Sequence, residues 1–407
     1  MNYYLTLTDD FNQVLTQKKP TKALKLSTVQ SKNNGNTYQI INYDKSQLCY
    51  DNISTVGLFR SVILNKNGNL LCFSPPKSIK SDIFIKNYPE ITQNIVAQEF
   101  IEGTMVNVFW DASVGLTGGW EIATRNTIGA TSKFFKSAES KTFRDMFLEA
   151  AQKNKLILEC LNRSYSYSFV LQHPENRIVV PFSEPQLYLV AMYHIYSENL
   201  QVGVYPIDSV KPFLAGASTT IKFPEVYKEK TYSDLIDKYA SMNTDYKTLG
   251  LVLVNNVTGE RAKIRNPVYE QVRHLRGNQP KLQFQYLSLR REGKVKDFLK
   301  FYPENKKDFT NFRDQVHLFT DTLHANYVSC YIKKEKTLKE YPEQFRTHMF
   351  KLHKTYIEDL KDKKLFVNNT IVINYVNDMT PAKLMYSLNF HMRKRNVDFI
   401  KSEDEKE

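Results

Sequence analysis

The chain has 407 residues, 42% apolar and 24% charged, with 56 Lys and Arg against 43 Asp and Glu, a formal net charge of +13. At about 100–200 residues per domain this is two or three domains with ample core, which excludes a peptide, a disordered tail protein and a collagen-like chain. The positive surplus favours a polyanionic partner, nucleic acid first, over a merely solvated lysine surface.

In chain order, TYQIINY, FRSVILN and LLCF read as short strands ending near Phe73, the last two joined by a turn at Asn67-Gly68. IVAQEF, TMVNVFW and WEIATR follow, rich in β-branched and aromatic residues, with a Gly-rich turn from Gly115 to Gly119 before the last. They are expected to be neighbouring antiparallel strands. Between Ser140 and Lys153, Phe143, Met146, Phe147 and Ala150 recur at helical spacing, and KLILEC, RIVVPF and LYLVAMYHIY then read as three strands. LGLVLVNN and ERAKIRN flank a turn at Thr258-Gly259. Beyond about Pro280, Phe309, Phe312, Val316, Phe319, Leu323, Tyr327 and Cys330 fall every three or four residues, an amphipathic helix. Phe345, Met349, Leu352, Tyr356 and Leu360 repeat the spacing, and Thr380-Pro381 is a helix start. The expected architecture is α+β over residues 1–275, all-helical over 276–400, and a charged tail, KSEDEKE, over 401–407.

Cys49, Cys72, Cys160 and Cys330 are scattered among apolar or aromatic neighbours with no C-x-x-C pair, and read as reduced core thiols. No stretch reaches the roughly 18–20 apolar residues of a membrane span, and MNYYLTLTDDFNQ lacks the order of a signal peptide. A soluble, cytoplasmic protein is expected. No P-loop, G-x-S-x-G or Rossmann fingerprint occurs, and Gly115, Gly118 and Gly119 read as a hairpin turn. His317 and His324, and His348 and His353, lack the Cys or carboxylate partners of a zinc set, so no metal-ligating residues are assigned.

The ordered series TYQIINY, LFRSVIL, CFSPPKS, EFIEGTMVNVFW, ATRNT, LILEC, ENRIVVPF, LGLVLV and AKIR resembles the adenylylation domain of the phage-type RNA ligase 1 family, in the covalent nucleotidyltransferase superfamily. The resemblance covers roughly residues 30–270. It implies an ATP-grasp-like nucleotidyltransferase domain of antiparallel sheets, followed here by the helical domain. It further implies ATP with magnesium or manganese, RNA as partner, and joining of 5′-phosphate to 3′-hydroxyl ends.

Such chemistry needs an unprotonated lysine to attack the α-phosphate, carboxylates to hold a divalent metal, and cations to neutralise phosphate. The family carries that lysine in a K-x-D-G pattern. The matching stretch here is Phe100-Ile101-Glu102-Gly103, with phenylalanine where the lysine belongs and glutamate for aspartate. Lys32-Asn33-Asn34-Gly35 lies upstream of Arg60 and reads as a polar turn instead. By the resemblance, Glu159 of LILEC matches the glutamate at the nucleotide ribose, whereas the expected carboxylate before Gly250 is Leu249. Arg60, Lys77 and Arg125 match basic positions, with Ser61 in place of the glycine after Arg60. Lys263 and Arg265 match the paired lysines that approach the phosphates, and strand alternation puts both on one face with Ile264 opposite.

Taken singly, each basic residue on a strand is more often a solvated face than a site, and Glu102-Gly103 is as readily a turn. Taken in order they favour a ligase-fold protein that binds RNA ends, with its covalent step lost at Phe100. A second reading is an active ligase using a non-standard nucleophile such as Lys77, or sealing pre-adenylylated ends. A third is a structural or assembly protein on a retired ligase scaffold, with the helical domain as a protein interface. The composition and the phage-like series together suggest a viral source.

Overall fold

The computed structural model describes residues 1–134, 140–206, 209, 211, 218–277, 279 and 281–392. The chain divides into two compact units, Met1–Arg273 and His274–Glu407. The charged tail expected at 401–407 lies outside the described residues.

The first unit runs β1 (Asn2–Tyr4), α1 (Asp9–Gln17), β2 (Leu24–Gln30), β3 (Thr37–Tyr43), β4 (Arg60–Asn65), β5 (Leu70–Cys72), α2 (Ser81–Asn87), β6 (Ile95–Glu99), β7 (Thr104–Asp111), β8 (Gly119–Thr124), β9 (Thr127–Ile128), α3 (Phe143–Lys153), β10 (Tyr165–Gln172), β11 (Gln186–Tyr196), β12 (Gln201–Val204), β13 (Val226–Tyr227), α4 (Tyr232–Tyr239), β14 (Gly250–Asn255) and β15 (Arg261–Arg265). These strands form three antiparallel sheets, ordered β1-β12-β11-β10-β7-β8-β9, β13-β6-β14-β15 and β2-β3-β4-β5. β3 and β4 are buried on both faces. Ile41, Val62 and Leu64 pack with Phe11, Tyr193 and Val202, while Ile40 and Ile63 pack with Phe109, Ala123 and Ile128. Two covered faces explain why TYQIINY and SVIL read as near-continuous apolar runs. α3 covers the long sheet through Met146, Phe147 and Ala150, and Phe84 and Leu235 bring α2 and α4 onto β6, β14 and β15.

Three strand expectations are corrected. β7 and β8 pair, but β6 belongs to the sheet of β14 and β13, so IVAQEF is not a neighbour of TMVNVFW. The intervening residues 100–103 carry the chain from one sheet to the other. LILEC is not a strand: Leu158–Cys160 is a single 3-10 turn anchored by buried Leu156 and Leu161. RIVVPF is not a strand either, because the amides of Val179 and Val180 donate to the Glu102 carboxylate rather than to a ladder. The strand that does lie here, β10, is YSYSFVLQ. Its inward serines are satisfied by Ser166 Oγ donating to Phe73 O at 3.2 Å and Ser168 Oγ to Asn107 Oδ1 at 2.8 Å. The cysteines also depart from expectation, since Cys49 and Cys160 are exposed, Cys330 is half-buried and only Cys72 is fully buried.

The division between units falls within α5 (Pro267–Arg276). The second unit is helical throughout its described residues: α6 (Leu282–Arg291), α7 (Val295–Phe301), α8 (Lys306–Tyr327), α9 (Glu343–Thr355), α10 (Asn369–Asp378) and α11 (Pro381–Leu388). α8 buries Phe309, Val316, Phe319, Leu323 and Tyr327, the predicted stripe. α11 starts as expected, with Thr380 accepting from the Lys383 amide at 3.4 Å and proline at its first position. No helix among the described residues is long and apolar enough to cross a membrane.

Candidate functional site

The crossover between β6 and β7 is fixed by its own backbone. Phe100 N donates to Gly250 O at 3.2 Å, and Gly103 sits at φ +147°, where a Cβ would lie 2.4 Å from Leu171 O. Only glycine fits such an approach. Glu102 points inward, 6% exposed, and accepts from Val179 N at 2.8 Å and from Val180 N at 3.2 Å. Burial pushes its carboxyl up to about 7, against the pull of those amides and of Arg177 and Arg273. Glu102 therefore ties the 177–182 loop to the crossover and does not face the basic residues of the motif series.

Two of those basic residues, Lys263 and Arg265, come from β15. Its alternation puts Arg261, Lys263 and Arg265 on one face and Ala262 and Ile264 on the other, where they join the apolar cluster under α2 and α4. Lys263 Nζ lies 4.6 Å from the centroid of the half-buried Phe100 ring, and Arg265 Cζ lies 6.0 Å from it. The sequence expectation that Lys263 and Arg265 share a face agrees with this geometry. Arg265 is exposed and also paired with Glu270 at 3.0 Å.

Arg60 arrives from β4 by way of a bulge. Ile41 pairs with Val62 and Asn42 with Arg60, so Ser61 is the extra residue, at φ +75°. The bulge turns Arg60 to the side of Asn42 instead of the core side taken by Val62. It also explains the family's glycine at this position, since the left-handed backbone favours one. Lys77 is held by its amide to Gly57 O at 2.9 Å and by Nζ to Ser78 O at 2.8 Å. Arg125 occupies the exposed turn between β8 and β9, 5.2 Å over the Tyr43 ring.

The electrostatics link these residues. Burial pulls Lys263 down to about 6, and Arg261, Arg60, Arg265 and Lys77 push it the same way. Burial likewise lowers Arg60, which feels Arg261 and Arg125, and Lys77, which feels Arg60 and Lys45. Among the described residues, Arg60, Lys77, Arg125, Arg261 and Lys263 have no carboxylate within ion-pair distance. Arg261 Nε is buried without a hydrogen-bond partner. Desolvated cations without counter-charge are costly to hold together, and an anion is the remedy.

Arg261 was missed at the level of sequence although the signal was present: it sits two residues before Lys263 in the same alternating strand. Glu159, by contrast, is exposed on its 3-10 turn, and no hydrogen bond or ion pair joins it to the other candidates. Leu249, where a carboxylate was expected, is 8% exposed. Next to it Gly250 sits at φ +131°, with a Cβ 2.1 Å from Ile264 O. The donor set fits phosphate. It does not fit a protein-held divalent metal, since no three His, Cys, Asp or Glu side chains converge among the described residues.

The site thus lies where antiparallel sheets meet at a glycine-bearing crossover beside a basic strand. No family model matches the chain. It is 25% identical over 288 residues to an RNA ligase of Rhodothermus phage RM378, a match covering 63% of this chain and 64% of that relative, so it spans less than two thirds of the relative's length. Similar solved structures include an RNA ligase from Naegleria gruberi, in a mutant form with AMP and Mn (17% identity, 49% of this chain, 57% of that one, TM-score 0.37), and a putative ATP-dependent DNA ligase from Aquifex aeolicus (12% identity, 96% and 79%, TM-score 0.39). In its ordered motifs and in this phage relative, the chain is similar to RNA ligases.

Proposed function

We propose that this protein binds the phosphate of a nucleotide or of an RNA 5′ end on the face formed by Arg60, Lys77, Arg261, Lys263 and Arg265, with Phe100 as an aromatic platform and Arg125 at the margin. The observation that supports this reading is the set of basic side chains gathered there, of which, among the described residues, Arg265 alone has a carboxylate partner, Glu270. Cations neutralise phosphates and an exposed ring face stacks bases, the two ingredients of single-strand binding. No amine stands at position 100, so self-adenylylation at that residue is lost. ATP is the nucleotide the family resemblance favours. A divalent ion would have phosphate oxygens and water as its ligands here, because Glu102 is engaged by amides, Glu159 is remote from the face in its contacts, and position 249 is leucine.

The test is anisotropy of 5′-phosphorylated and 5′-hydroxyl RNA, with ATP as competitor, across a salt series. The Lys263→Ala, Arg265→Ala double variant is expected to weaken binding and to flatten the log–log salt dependence by about 0.7 for each phosphate left without its cation. Its melting temperature should stay nearly unchanged, since the Lys263 amine is uncharged near pH 7 and the exposed Arg265–Glu270 pair contributes little. Unchanged affinity and slope would overturn the reading and favour an assembly role, whose partner surface need not be salt-steep.

A further inference from the structure

The two lysines of the basic face differ in what their amines do. Lys77 gives its Nζ to Ser78 O at 2.8 Å, whereas Lys263 Nζ has neither a hydrogen-bond acceptor nor a carboxylate among the described residues. Lys263 instead lies against the face of Phe100, the residue at the position where a nucleophilic lysine is missing. It projects from β15 between Arg261 and Arg265, with Arg60 facing it from β4 and Lys77 from the segment after β5.

We infer that Lys263 is the nucleophile of this protein, its Nζ attacking the α-phosphorus of a nucleoside triphosphate held on the basic face. The inference rests on the anion-binding reading above and adds a covalent step to it. The lone pair of Nζ forms the P–N bond. The bond from the α-phosphorus to the bridging oxygen breaks, its electron pair leaves on pyrophosphate, and the proton lost from nitrogen passes to solvent. Arg60, Arg261 and Arg265 supply positive charge beside the phosphates and the departing pyrophosphate. The same charges, with burial, keep the Lys263 amine neutral near pH 7, the form that attacks; its pKa is pulled down to about 6. Phe100 presents its ring to the Lys263 Nζ and contributes no competing amine.

The full-length protein is incubated with α-labelled ATP, and separately GTP, with magnesium, with manganese and with EDTA, at pH 5 to 9. Intact mass, a denaturing gel and peptide mapping read any adduct, and thermal shift reads ATP binding in parallel. An acid-labile nucleoside monophosphate on the peptide containing Lys263 is expected, with labelling that rises to a plateau just above pH 6. Lys263→Arg should reduce it to background while retaining the thermal shift. As a readout independent of turnover, Lys263 should react with an amine-acylating reagent at pH 7 faster than exposed lysines such as Lys153, and ATP should protect it. ATP binding without adduct, an adduct on another lysine, or ordinary acylation of Lys263 overturns this inference alone. Absence of any ATP or RNA binding overturns the basic-face reading with it.

Discussion

Glu102 offers a test of the crossover that is separate from any activity. Its carboxyl is 6% exposed and titrates near 7 in the folded chain against 4.5 for an ordinary glutamate. Between those values the folded protein holds a proton that the unfolded chain has released, so stability falls as pH rises. The contribution is fully present below pH 4.5 and lost by the time pH has passed 7. The interval corresponds to about 3 kcal/mol at 1.36 kcal/mol per pH unit. Glu102→Gln removes the titration yet keeps a carbonyl oxygen able to accept from the Val179 and Val180 amides. Urea unfolding followed by tryptophan fluorescence reports on this unit alone, since Trp110 on β7 and Trp120 on β8, 5.4 Å apart, are the only tryptophans. From pH 5 to pH 8 the wild-type protein should lose about 2–3 kcal/mol more than the variant. Equal losses would refute the account of Glu102 as a buried, high-pKa tie.

Three further outcomes are expected. Ser61→Gly should stabilise the protein by about 1–2 kcal/mol, because Ser61 sits at φ +75° and its buried Oγ lacks a hydrogen-bond partner; a lower urea midpoint would refute this. Gly250→Ala should destabilise by more than about 2 kcal/mol through its contact with Ile264 O and its positive φ, seen as a drop in melting temperature or in soluble yield. A maleimide should modify Cys49 and Cys160 in the native protein and leave Cys72, which is buried and whose thiol is pushed up to about 12, unmodified until unfolding.

What was legible in the sequence is what local patterning encodes. The α8 stripe, the Asn67-Gly68 hairpin and the alternation of AKIR follow from periods of 3.6 and 2 and from turn chemistry, and each is present. Sheet membership was not legible, because IVAQE satisfies the same pattern whether it pairs with β7 or with β14. RIVVPF misled for a different reason. Its residues have strand propensity, but a carboxylate some 77 positions away in sequence claims its amides, a tertiary contact that overrides propensity. β10 was overlooked because its inward positions include serines, whose burial is possible only through partners on β7 and at Phe73. The glycine replaced by Ser61 was noticed as a departure from the family pattern, and its meaning emerged only with the bulge that aims Arg60.

The central question at the site is the charge state of Lys263, where two effects oppose. The face of Phe100 attracts an ammonium by about 0.5–2 kcal/mol, equivalent to roughly one unit of pKa. Burial and the four neighbouring cations act in the other direction and prevail, leaving Lys263 near 6. A bound triphosphate would reverse part of that balance, since its negative charge favours the protonated amine. Attack therefore requires that the proton be absent when the nucleotide arrives or leave as it settles, which makes the pH at which labelling begins more informative than its extent. An onset near 6 identifies the amine of the free site. An onset one or more units higher would mean that phosphate binding reprotonates Lys263, which then joins the arginines in carrying the anion. If the onset tracked the ordinary lysine range near 10, the cluster would not depress Lys263 at all, and the electrostatic description of the face would fail with it.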